Sequence, residues 1–217
     1  SHGFTAMVIG PNDEINEWHI ERAEGLIDAI ETIKMENFRE NSPIYNMIDI
    51  DSFIVSGYSM GGGASQIALT LDHPNVSSIK AGIALNPTII LDDCNLCPED
   101  GGYCICLVPE MLEHDIPTFI VAGQFEVNEL PDYDGMLGQD IYINTPQTTI
   151  KMLFEVEGGG HGASYESQVR EKALEWANYY LLDDSDGCED LIEPPSIASQ
   201  FLTTLECVDF LIGDVNG

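Results

Sequence analysis

Residues 56–65 read SGYSMGGGAS. Whether this run is a plain glycine-rich turn or the turn that presents a nucleophile decides the fold. Upstream lies IDIDSFIVSG (48–57), whose Ile, Val and Phe content reads as a strand. Downstream, 63–71 reads as a helix that ends before DHPN. Gly57-Tyr58-Ser59-Met60-Gly61 is therefore G-x-S-x-G set between a strand and a helix. A serine in that setting sits on a sharp turn at the C-terminal edge of a sheet, where only small flanking residues avoid clashes. The helix starting there points its positive end at the site, and the Met60 N–H can donate to a developing oxyanion. The rival phosphate loop would need G-x-x-x-x-G-K-[ST], which is absent, and G-x-G-x-x-G does not fit. Ser59 is the candidate nucleophile.

Such a serine needs a base, and the base needs an acid to orient it. Among five histidines, His161 stands in EGGGHGAS, just after the predicted strand TIKMLFEVEGG (149–159) and before the predicted helix YESQVREKALEWANYYLL (165–182). A loop residue there can reach the sheet edge, so His161 is the candidate base. His2, His19, His73 and His114 read as solvated. The acid is expected between serine and histidine in chain order, past the strand PTFIVAGQ (117–124). Glu126 is the first acid beyond that strand and the choice, with Glu129 and Asp132 as alternatives.

The remaining chain continues the pattern. GFTAMVIG (3–10) reads as a buried strand, and IKAGIALNP (79–87) as another. NEWHIERAEGLIDAIETIKMENF (16–38) reads as a helix with Ile20, Ala23, Ile27 and Ile30 on one face, widened by Leu26 and Ile33. Apolar strands alternating with helices predict an α/β fold, with a mostly parallel sheet covered on both faces. One domain over 1–217 is expected. An irregular stretch at 91–113 interrupts the pattern, and the acidic 183–197 reads as a linker towards a last short element, FLTTLECVDFLI.

Charge narrows the partners. Thirty-eight Asp and Glu stand against seven Lys and Arg, a net charge of −31 at pH 7. Such a polyanion is repelled by nucleic-acid phosphates and anionic membranes, so neither is expected as a partner. No apolar run approaches the ~18–20 residues that span a bilayer. No D-x-D-x-D-G loop is present, so the acidic surface reads as solvated, and no metal or cofactor is expected. The sequence opens directly into SHGFTAMVIG, without an initiating Met or a charged-then-apolar leader, so any targeting segment is expected to be gone already. The six cysteines, Cys94, Cys97, Cys104, Cys106, Cys188 and Cys207, fit three disulfides and an oxidising, extracellular compartment. Zinc held by the four clustered thiols is an alternative, as are free thiols. Cys188 and Cys207 lie apart from the cluster and most simply pair with each other.

Taken together, these motifs resemble the bacterial polyesterases of the cutinase type, the α/β-hydrolase family that includes the poly(ethylene terephthalate) hydrolases. SHGF before a strand is similar to the family's ASHGF, and GYSMGGGAS to its G-[HW]-S-M-G-G-G-[GA]-S. IPTFIVAGQ resembles the strand before its acid, EVEGGGHGAS its approach to the catalytic histidine, and ALEWANYYLLDDSDGCEDL its last helix and first C-terminal cysteine. The resemblance implies an α/β-hydrolase fold with Ser59, Glu126 and His161 as triad and Met60 as an oxyanion donor. It implies Tyr58 and Thr88 as substrate contacts and Cys188–Cys207 as the terminal bridge. The implied protein is a secreted, monomeric serine esterase acting on polyester or cutin-like chains and short esters.

The chain departs from the family at four places. Glu126 stands where the family has Asp. Asn86-Pro87-Thr88 occupies the place of a tryptophan that flanks the substrate ring. The stretch 91–113 is an insertion expected beside the cleft. Finally, the family's strands and second oxyanion loop ahead of SHGF have no counterpart. Either this sequence lacks a segment that the working molecule has, or 3–10 pairs directly with 50–57 through one right-handed βαβ crossover, which is favoured. The alternative function is a catalytically weak or silent hydrolase-fold binding protein.

Overall fold

Thr118–Gly123 (β3) is the strand buried at every one of its six residues, and it lies in the middle of the sheet. The computed structural model describes residues 3–11, 13, 17–89 and 112–207. Within them, β1 (Phe53–Tyr58), β2 (Ile79–Leu85), β3, β4 (Lys151–Val156) and β5 (Ala198–Thr203) lie side by side in that order. The first four are parallel, and β5 runs antiparallel to β4. Parallel neighbours need crossover connections. Between β1 and β2 the connection carries α2 (Met60–Ala68), and between β3 and β4 it carries α3 (Glu126–Glu129) and α4 (Gly138–Asn144). Helix α1 (His19–Phe38) precedes β1, while α5 (Ser167–Leu181) and α6 (Cys188–Ile192) join β4 to β5.

Side chains alternate across a strand, and the two cores follow that alternation. Ile120 and Leu153 pack with Ala23 and Ile27 of α1, Ile67 of α2 and Ile141 of α4. Phe119, Val121, Met152 and Phe154 point the other way and pack with Trp176 of α5 and Leu191 of α6. Both faces of a mostly parallel sheet are thus covered, the α/β architecture expected of an α/β-hydrolase fold.

The N-terminal expectation fails. Residues 3–10 form no strand, Val8 is 93% exposed and Met7 45%. The pairing of 3–10 with 50–57 is not formed, and β1 begins only at Phe53. A strand is held by a ladder partner and a buried face. Among the described residues β1 has a single neighbour, β2, so 3–10 gains neither.

Two histidines are also corrected. Helix α1 opens at His19, and the Trp18 N–H donates to Glu21 Oε2 at 3.1 Å across its first turn. His19 is 1% exposed and Ile20 39%, so the histidine, not the isoleucine, takes the inner position. His114, also expected in solvent, is 9% exposed. The stretch 183–197 is more than a linker, since α6 buries Cys188 and Leu191. Cys188 is disulfide-bonded to Cys207, with Cα atoms 5.8 Å apart. Cys94, Cys97, Cys104 and Cys106, with most of the 91–113 insertion, lie outside the described residues. Among the described residues no helix is long and apolar enough to cross a membrane.

Candidate active site

Parallel strands end on one edge of the sheet, so the loops leaving β1, β3 and β4 meet there. They carry Ser59, Glu126 and His161. Ser59 holds φ 57° and ψ −122° between β1 and α2, a conformation that few residues other than glycine adopt. Three backbone hydrogen bonds support it. The Ser59 N–H donates to Leu85 O at 2.9 Å, and Ser59 O accepts from the N–H groups of Gly63 (3.1 Å) and Thr88 (3.2 Å). The glycines follow from crowding around this turn. A Cβ on Gly57 would lie 2.1 Å from Gly61 O, and one on Gly63 would lie 2.3 Å from Thr88 O.

The three side chains form one hydrogen-bonded line. His161 Nε2 lies 2.8 Å from Ser59 Oγ, and His161 Nδ1 lies 2.5 Å from Glu126 Oε1. A carboxylate only accepts, so Nδ1 carries the proton and Nε2 is left to accept from the serine hydroxyl. Glu126 is fully buried, and a buried carboxylate must be met by donors. Its second oxygen accepts from Asn86 Nδ2–H and from the Gly123 N–H, both at 2.9 Å.

Asn86 is a site residue that the sequence reading treated only as the place of a missing tryptophan. It is fully buried at φ 44°, which asparagine tolerates better than most residues. Its amide nitrogen serves Glu126, and its Oδ1 accepts from the Ser164 N–H at 2.8 Å. Asn86 thus ties the acid to the segment just after His161. Glu129, an alternative acid, reaches the backbone of His161 and not its ring: Oε2 accepts from the His161 N–H at 2.8 Å. Asp132 lies in the short turn Pro131–Tyr133 that follows α3.

Around the serine, Tyr58 is 38% exposed and donates its hydroxyl to His161 O at 3.0 Å. Its ring centroid stands 5.0 Å from that of His161 and 5.8 Å from that of Tyr165. Partial burial, joined by Tyr165, Glu126 and Glu129, pushes the Tyr58 phenol above its ordinary pKa, so it stays a neutral donor. Thr88 is only 4% exposed, and its backbone braces the turn. Its N–H holds Ser59 O, and its carbonyl accepts from His19 Nε2–H at 2.5 Å. Burial lowers His19 to a pKa of about 4, against the opposing bond to Thr88. Met60 opens α2 directly after Ser59, and N–H groups in a first helical turn have no acceptor within the helix.

Residues 1–91 match the family model described as PET hydrolase-like, and no curated protein matches the chain. Over that segment the resemblance to the poly(ethylene terephthalate) hydrolases is borne out. It supports an ester or polyester hydrolase. The matched segment contains Ser59 and ends before Glu126 and His161.

Proposed function

We propose that this protein is a secreted serine esterase that cleaves polyester or cutin-like chains, and short soluble esters, through an acyl-enzyme on Ser59. The observation that carries the reading is the line from Ser59 Oγ through the His161 imidazole to the buried Glu126 carboxylate, with contacts of 2.8 and 2.5 Å. The hydroxyl attacks the ester carbonyl while His161 Nε2 takes its proton. Glu126 keeps the proton on Nδ1 and stabilises the imidazolium. The Met60 N–H and the positive end of α2 stabilise the oxyanion. His161 then returns the proton to the departing alcohol, and water, activated by the same imidazole, releases the acid. Tyr58, partly exposed beside the pair, is proposed as a wall for the substrate. Buried Thr88 is proposed to form the floor behind the serine. The disulfide fits an oxidising compartment.

The test is hydrolysis of para-nitrophenyl butyrate by wild type beside Ser59→Ala, from acid to alkaline pH. Activity that disappears in the variant is expected. Polyester films follow as the second substrate. A second reading, a hydrolase fold with little or no turnover, is favoured by one observation. Residues 3–10 form no strand, and among the described residues β1 has no neighbour on its outer side. A wild type as inactive as Ser59→Ala would establish that reading instead.

A further inference from the structure

The four-residue helix α3 presents two carboxylates to one histidine. Glu126 and Glu129 are three positions apart and therefore share a helix face. The first accepts from the ring of His161. The second accepts from its backbone N–H at 2.8 Å. The same turn is fastened once more, by the Phe125 N–H donating to Gly159 O at 2.7 Å.

Gly160 shows how closely the Glu129 carboxylate is seated. A Cβ there would lie 1.9 Å from Glu129 Oε1 and 2.4 Å from Cδ. Gly160 has no positive φ that would demand glycine. The space that a side chain would take is filled by the carboxylate. Because that carboxylate ends a flexible, exposed side chain, an alanine at 160 pushes it aside and leaves the fold intact.

We propose that Glu129 is a positioning residue that fixes the loop bearing His161, so that the imidazole is held between Ser59 and Glu126 before substrate arrives. The proposal rests on the reading of His161 as the base. Glu129 itself touches neither the ring nor the serine; it acts through the His161 backbone. A base that wanders by a fraction of an ångström loses catalytic power without losing substrate affinity. The effect therefore belongs in kcat and leaves KM alone.

Four variants test this: Glu129→Gln, Glu129→Ala, Gly160→Ala and the Glu129→Ala/Gly160→Ala pair. For each, kcat and KM on para-nitrophenyl butyrate are measured, and exchange of the His161 amide proton is followed by NMR. Glu129→Ala is expected to lower kcat by about tenfold with KM nearly unchanged, and to speed His161 amide exchange by at least about tenfold. Glu129→Gln keeps an acceptor oxygen and should retain most of both. Gly160→Ala should mimic Glu129→Ala, and the double variant should be no worse than either single one, since the same contact is lost once. Unchanged exchange in Glu129→Ala, or penalties that add in the double variant, overturns the proposal. A wild type without turnover would sink the catalytic reading alone, and the amide exchange would still decide whether Glu129 holds the loop.

Discussion

His19 makes stability depend on pH in a window that can be worked out beforehand. Its imidazole is 1% exposed and donates Nε2–H to Thr88 O, while Nδ1 has no partner. Protonation would place a charge in that setting. Burial is the main cause of its fall from 6.5 to about 4, Arg22 adds to it, and the Thr88 bond and Glu21 oppose it. The unfolded chain takes up a proton as pH drops through about 6.5, and the folded chain resists until about pH 4. Stability is therefore complete above the unfolded value and is lost between the two. The full drop corresponds to about 3 kcal/mol, at ~1.36 kcal/mol per pH unit, and about 2 kcal/mol of it is gone by pH 5. His19→Gln supplies a neutral N–H for Thr88 and does not titrate. Urea unfolding of both proteins at pH 7.5, 6 and 5 isolates the contribution, since the carboxylates and His114 are common to both. Wild type should lose about 2 kcal/mol more than the variant between pH 7.5 and 5. Parallel pH curves for the two proteins would refute the reasoning.

Three further outcomes are expected. With a net charge of −31, self-repulsion should be relieved by salt, so Tm should climb from low to high ionic strength; a flat profile in thermal melts would discard the surface argument. The Cys188–Cys207 bridge closes a separation of 19 residues, and Cys207→Ser should cost about 3 kcal/mol in denaturant unfolding. An unchanged unfolding midpoint would mean that the segment is held by packing alone. Glu126→Gln should fold but lose about 10³–10⁴ in kcat, because an amide no longer fixes the imidazole tautomer or stabilises its cation; activity within a few-fold of wild type would rule Glu126 out as the orienting acid.

The sheet was legible because strands covered on both faces carry near-continuous apolar runs, and FIVAG (119–123) and MLF (152–154) stand out for that reason. Composition reports what a segment can bury, not whether a partner is there to bury it. GFTAMVIG has the composition of a strand, yet it stays outside the sheet with Val8 in solvent. The inner face of α1 was ambiguous for a related reason. Positions 19, 23, 27 and 30 carry a helical stripe as well as 20, 23, 27 and 30 do, and hydrophobicity alone prefers Ile20 to His19. What decides for the histidine is a hydrogen-bond acceptor, Thr88 O, on a loop 69 residues away. A helical periodicity cannot carry that information.

The same division runs through the site. Ser59 is written into local sequence, because a turn this tight demands glycines that a reader can see. The convergence of Ser59, Glu126 and His161 follows from chain order and from parallel strands ending on one edge. The residues that hold those three in place left no such mark. Asn86 joins Glu126 to the N–H of Ser164, and Glu129 holds the N–H of His161, so each works between loops distant in sequence. The GGGH run was visible, but its glycines answer to different neighbours. A Cβ on Gly159 would press on Ala163 Cβ, and one on Gly160 would strike the Glu129 carboxylate. A glycine run before a histidine therefore reads as a loop in any sequence. Only the carboxylate lying over Gly160 turns it into a clamp, and that clamp is where this chain's loop geometry can be tested apart from its chemistry.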